Sequence, residues 1–214
     1  MKIAVMQPYF APYLGYFQLI QEVDLFVFYD DVNFINKGWI NRNYMTINKK
    51  NQRFTIPLKK ASQNKKIKDI QVDWDSKEMY KLIKTFKQNL NNKPKAMKAV
   101  EVLLDVKPET ISDMAILSVK SFCEDLGITT KFEKSSEIPY KKTDDKLLNL
   151  VEICKAKGIY NYVNAEGGQK LYTKENFESN GVKLEFIKGT PSSSMLDIID
   201  SVDIKERLFD YDTI

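Results

Sequence analysis

Three consecutive stretches at the start of the chain restrict its fold more than anything that follows. KIAVMQ (2–7) is an apolar run, PYLGYFQLIQEV (12–23) has helical spacing, and DLFVFYDDV (24–32) is a second apolar run. In the middle stretch Leu14, Phe17, Leu19 and Ile20 can share one buried stripe of a helix. Neither flanking run alternates polar with apolar residues, as expected of strands covered on both faces. Strand, helix and strand this close together form a βαβ unit, which requires parallel pairing and a right-handed crossover. The chain therefore reads as α/β.

The remaining segments extend that pattern and then interrupt it. YMTINKKNQRFTIPL (44–58) reads as a hairpin turning at 48–51, and a short strand is expected at 67–72. From Ser76, a natural N-cap, SKEMYKLIKTFKQNLNN (76–92), PKAMKAVEVLLD (94–105) and TISDMAILSVKSFCEDLG (110–127) read as three helices, the last closed by Gly127. Strand and helix then alternate again: strands at 128–136, 159–164 and 182–188, helices at 142–158, 167–181 and 192–202. The expected architecture is one α/β domain over 1–214, a Rossmann-like parallel sheet with a helical insertion at about 76–127.

Composition removes several chemistries. The chain has no histidine, so Ser-His-Asp triads, Cys-His pairs and imidazole metal sites are excluded. Cys123 and Cys154 show no CxxC spacing, and a reduced cytoplasmic setting is the default expectation. Thirty-three basic residues are mixed with 29 acidic ones, for a net charge of +4, which gives nucleic-acid binding no support of its own. No run approaches the roughly 18 apolar residues a membrane span requires.

In open α/β sheets ligands bind beyond the carboxyl ends of the strands. Several polar clusters should gather there. QPYFAPYLGYF (7–17) follows the first strand, with Gln7, Pro8, Tyr13, Gly15 and Tyr16 as candidate ligand contacts. A helix opening near Pro12 would aim free N–H groups at an anion; the same residues could equally be a packing turn. DDV places Asp30 and Asp31 at the end of the second strand, as a general base, a metal ligand or a simple strand cap. In NKGWINRN (36–43), Lys37, Trp39, Asn41, Arg42 and Asn43 form an unusually functionalised connector. Arginine suits phosphate or carboxylate, and tryptophan a flat ring. NAEGG (164–168) brings Asn164, Gly167 and Gly168 to a late strand end, and the basic run LKKASQNKK (58–66) offers Lys59, although such runs are usually solvated faces. No metal site is assigned from the residues.

The stretch IAVMQPYFAPYLGYFQLIQEVDLFVFYDDVNFINKGWINRN (3–43) closely resembles the opening of the WbqC-like protein family, and IPLKK (56–60), YNYVNAEGGQKLY (160–172) and SSSMLDIID (192–200) continue the likeness. The resemblance implies a shared set of Gln7, Pro8, Pro12, Gly15, Tyr16, Asp30, Asp31, Gly38, Trp39, Asn41, Arg42 and Asn43. In the later motif, NAEGG stands where a Ser-Gly start is expected. The family is associated with O-antigen and other surface-polysaccharide gene clusters. What it implies is an acyl or aminoacyl transferase, for example glycyl, whose partners are a nucleotide-linked amino sugar and an acyl or amino-acid donor. A more distant likeness is to nucleotidylyltransferases of the HxGH type: YLGY (13–16) holds the register of that motif, and GTPSSSMLDII (189–199) is similar to their late serine motif. Some relatives of that fold adenylate a carboxylate, so ATP with Mg²⁺ is the cofactor implied. Tyr13 and Tyr16 replace both histidines, however, and a neutral phenol supplies no positive charge to a phosphate. A non-catalytic protein binding a nucleotide or nucleotide sugar is the competing expectation.

Overall fold

The computed structural model describes residues 1–190 and 192–214. β1 (Lys2–Met6), α1 (Leu14–Glu22) and β2 (Leu25–Phe28) make the expected crossover, with β1 and β2 parallel and Ile3 opposite Leu25. β3 (Arg42–Ile47) and β4 (Lys50–Thr55) form a separate antiparallel hairpin whose turn residues, Asn48 and Lys49, both have positive φ. The insertion consists of α2 (Lys77–Asn89), α3 (Pro94–Val106) and α4 (Ile111–Leu126). Ser76 Oγ accepts the Met79 N–H at 3.1 Å, and Gly127 closes α4 with a left-handed φ of 78°.

β5 (Lys131–Lys134), α5 (Lys146–Lys157), β6 (Asn161–Ala165), α6 (Lys174–Glu178) and β7 (Lys183–Lys188) complete the parallel part of the sheet. After α7 (Met195–Ile198) and α8 (Ile204–Arg207), β8 (Asp212–Thr213) adds an antiparallel edge. The order is β5-β2-β1-β6-β7-β8. The chain steps outward from β1 through β2 to β5, then returns to β1's other side, so the order reverses between β1 and β6. In open α/β sheets a reversal of this kind is where ligands characteristically bind, at the strands' carboxyl ends.

Successive side chains on each strand feed opposite layers. Ala4, Phe26, Phe28 and Val163 pack with α1 and with the three helices of the insertion, while Ile3, Val5, Leu25, Val27, Tyr162 and Leu184 pack under α5 and α6. Three expectations need correction, and one strand was not expected. The helix read at 192–202 is α-helical only over Met195–Ile198, because Ser194 caps it late and it ends in a turn. Residues 67–72 form a 3₁₀ turn and isolated bridges, not a strand, because their backbone bonds go singly to Lys59, Glu109 and Ile111 and no continuous partner strand lies alongside. Residues 167–181 are a 3₁₀ turn over Glu166–Lys170 followed by the short α6, since Thr173 caps a new helix instead of continuing an old one. The edge strand β8 carries no strong apolar pattern and is absent from the reading of the sequence.

The aromatic bend after β1 is a junction between layers. Phe10 packs on Phe54 of the hairpin and Phe86 of α2, and Tyr16 on Phe26 of β2. Ala11 takes φ 44°, a conformation costing a non-glycine residue about 1–3 kcal/mol. It is held there by three side chains. Its N–H donates to Ser118 Oγ at 3.1 Å, and its carbonyl accepts from Asn43 Nδ2 at 2.6 Å and Ser194 Oγ at 2.9 Å. The constraint on Gly15 comes from protein: a Cβ there would stand 2.7 Å from the Tyr13 ring, and a Cβ on the facing Gly189 would stand 3.0 Å from Gly15 Cα and 2.5 Å from Gln18 Oε1. The buried Gln18 amide in turn bonds the Thr190 N–H and the carbonyls of Arg207 and Asp210.

Candidate functional site

The connector between β2 and β3 builds an open groove. Gly38 N–H donates to the Ile35 carbonyl at 3.1 Å, closing a tight turn in which Lys37 has φ 63°. A positive φ at the third position of such a turn favours glycine, so a lysine here is strained. Asn41 leaves the turn buried, its Nδ2 donating to the Ile56 carbonyl at 2.9 Å, and fastens the connector to the end of β4. Arg42 begins β3, and its Nε donates to the Gly38 carbonyl at 3.3 Å. The resulting groove has a volume of about 270 Å³ and is lined by Asn36, Lys37, Asn41, Arg42 and Thr55 with Phe34, Ile56 and Leu58. Among the described residues neither Lys37 nor Arg42 has a carboxylate within 4.0 Å. The terminal nitrogens of Arg42 have no protein acceptor among those residues either, which leaves its fork available for a bidentate anion.

Other expected contacts fall into different roles. Asn43 is buried and spends its amide on the Phe10 and Ala11 carbonyls, so it positions the bend and does not face the groove. Tyr16 is fully buried and donates its hydroxyl to the Gln7 carbonyl at 2.9 Å, which makes it a core residue. Pro8 is buried as well. Tyr13 is partly exposed, with its ring folded back over Gly15. The first N–H of α1, from Leu14, donates to Ser192 Oγ at 2.8 Å, so part of the helix end is capped by the chain's own serine motif. Lys59 is outside the groove lining and faces the exposed Asp75 at 4.0 Å. At the sheet's reversal point the half-buried Gln7 amide has no side-chain partner among the described residues. Asn164 uses its Oδ1 locally to accept the Ala165 N–H at 2.9 Å. Gly168 makes room for that amide, since a Cβ would collide with it, while Gly167 is exposed and unconstrained.

The paired carboxylates lie at the end of β2, and both are buried. Asp30 Oδ1 accepts the Ser136 N–H at 3.0 Å and Oδ2 accepts from Ser136 Oγ at 2.9 Å, while Ser135 Oγ, whose single proton goes to Asp31, accepts the Asp30 N–H at 3.2 Å. Asp30 thus clamps β2 to the turn after β5. Asp31 accepts from the Ser135 and Tyr140 hydroxyls and pairs with the half-exposed Lys142 ammonium. Burial pushes the Asp31 carboxyl up, but Lys142, Ser135 and Tyr140 outweigh it and hold the group below its ordinary value. Burial and the Asp31 charge push the Tyr140 phenol far upward, so it stays a donor. Among the described residues no three His, Cys, Asp or Glu side chains are grouped to hold a metal, and burial raises both cysteine thiols to about 12. Ser135, Ser136, Tyr140 and Lys142 were missed in the sequence. The signal was present: KSSEIPYKK (134–142) is a polar cluster directly after a strand.

A pH prediction follows. The folded pKa of Asp31 lies below its unfolded value near 3.8, so its ionisation stabilises the fold above that pH. The contribution disappears as pH falls through the lower folded value. Asp31→Asn is expected to lose about 1–3 kcal/mol at pH 7 and to show a flatter stability decline into acid, measured by urea unfolding at pH 7 and pH 3. Equal acid sensitivity in both proteins would show that these contacts do not favour the charged form.

Among the described residues no helix is long and apolar enough to cross a membrane. A model of the WbqC-like protein family matches residues 7–194. Rv1507c, an uncharacterized protein of Mycobacterium tuberculosis (strain ATCC 25618 / H37Rv), is 24% identical over 187 residues, covering 86% of this chain and 80% of that protein. No solved structure matches the chain.

Proposed function

We propose that this chain, which belongs to the WbqC-like protein family, transfers an acyl or aminoacyl group, for example glycyl, to the amine of a nucleotide-linked sugar used in O-antigen or other surface-polysaccharide synthesis. One observation carries the reading: an open groove holds two cations with no carboxylate partner among the described residues, and one of them is an arginine whose terminal fork has no acceptor among those residues. Diphosphate is a ligand that fits such a pair. In the transfer a bond forms from the sugar nitrogen to the acyl carbon, and the bond from that carbon to its activating group breaks. The nitrogen then loses a proton. Asp30, with its oxygens occupied, is proposed as a fixed mount, and Asp31, reached through half-exposed Lys142, as the proton acceptor. A weak base suffices, because nitrogen becomes strongly acidic once bonded to the acyl carbon.

The test is incubation with glycine, ATP, Mg²⁺ and a panel of nucleotide-linked amino sugars, followed by mass spectrometry. A glycyl amide together with released pyrophosphate or phosphate is the expected result. The saturated, buried state of both carboxylates favours a second reading, in which the protein binds a nucleotide sugar without turnover. Thermal stabilisation by such a sugar with no mass change would select that reading.

A further inference from the structure

The groove does not end at its cations. Residues two apart on a strand share a face, so Tyr44 lies on the same side of β3 as Arg42, about 7 Å further along. Trp39 leans on Tyr44 from the connector, with ring centroids 6.1 Å apart and planes tilted by 53°. Both rings are exposed, Trp39 by half and Tyr44 by 37%. Across the hairpin, Thr55 stands opposite Arg42 and Arg53 opposite Tyr44, which extends the positive charge beside the rings. Among the described residues Arg53 also has no carboxylate within 4.0 Å.

We propose that Trp39 and Tyr44 are the stacking platform for the base of a nucleoside diphosphate whose phosphates lie on Arg42 and Lys37. This rests on the groove being the diphosphate site of the proposed function, and adds what distinguishes a nucleotide from any other diphosphate. Exposed rings prepaid in position bind a flat π-face, and flanking guanidinium charge strengthens the stack. A spacing of two strand residues between ring and arginine leaves room for a ribose between base and phosphate. Stacking tolerates every base, so the platform selects nucleotides as a class.

The experiment is titration calorimetry of the full chain with UDP, GDP, inorganic pyrophosphate and glucose 1-phosphate. The nucleoside diphosphates are expected to bind at least tenfold more tightly than pyrophosphate. In Trp39→Ala with Tyr44→Ala that advantage should fall below threefold while pyrophosphate affinity is unchanged; Arg42→Gln should weaken all four ligands together. Both ring positions are exposed, and circular dichroism of the double variant checks that it folds. If UDP and pyrophosphate bind alike to the native protein, or the double variant keeps the advantage, the platform is disproved and the diphosphate groove stands. Glucose 1-phosphate matching UDP, and losing affinity with the rings, would make the platform a sugar face and overturn the assignment. Absence of binding by every ligand would remove both the platform and the groove.

Discussion

Arg42→Gln is expected to reduce affinity for UDP and pyrophosphate, and turnover of any nucleotide-sugar substrate, by roughly 30- to 1,000-fold. This corresponds to about 2–4 kcal/mol for losing a charge-assisted bidentate contact. Folding should change far less. Among the described residues the only side-chain hydrogen bond Arg42 makes is from Nε to the Gly38 carbonyl, at 3.3 Å, and a net hydrogen bond contributes about 1 kcal/mol. Arg42→Lys separates charge from shape. A lysine keeps the charge but not the planar fork, so it should recover part of the binding and little of the turnover. Native affinity in Arg42→Gln would show that the groove is not the anion site.

Asp30→Ala is expected to cost about 2–5 kcal/mol of stability, lowering Tm by roughly 6–15 °C for a chain of this size. The reason is that two hydrogen bonds from Ser136, one from its N–H and one from its hydroxyl, end on this one buried carboxylate. Alanine would leave the Ser136 N–H and hydroxyl without that acceptor, and β2 would lose its side-chain tie to the turn after β5. Asp30→Asn should be milder, about 1–2 kcal/mol, because one amide oxygen still accepts and the serine hydroxyls can reorient. Thermal denaturation of both variants checks this. If Asp30→Asn instead melts within 1 °C of the native protein and transfers nothing, Asp30 is a proton acceptor and the clamp is misassigned.

These expectations show how far local pattern reaches. The crossover of β1, α1 and β2, the three helices from Lys77 to Leu126 and the caps at Ser76 and Gly127 could be read in advance, because periodicity and capping act within one or two turns of chain. The β8 edge could not, since a two-residue strand exists only because β7 offers it unpaired backbone. Polar residues divide in the same way. Lys37, Asn41 and Arg42 of the connector line one groove. Asn43, of the same type as Asn41, turns inward to the Phe10 and Ala11 carbonyls, and Tyr16 turns inward to the Gln7 carbonyl, because those buried acceptors require donors.

The sequence by itself determined that the chain is α/β, that imidazole chemistry is absent and that the polar residues cluster after strands. Only the tertiary structure decided which of those residues spend their hydrogen bonds on the protein and which have groups with none among the described residues. Asp30 meets Ser135 and Ser136 from more than a hundred residues away, and Gly15 meets Gly189. A side chain's role depends on whether its hydrogen bonds are already used, and partners so distant in the chain are set by packing of layers that no local pattern encodes.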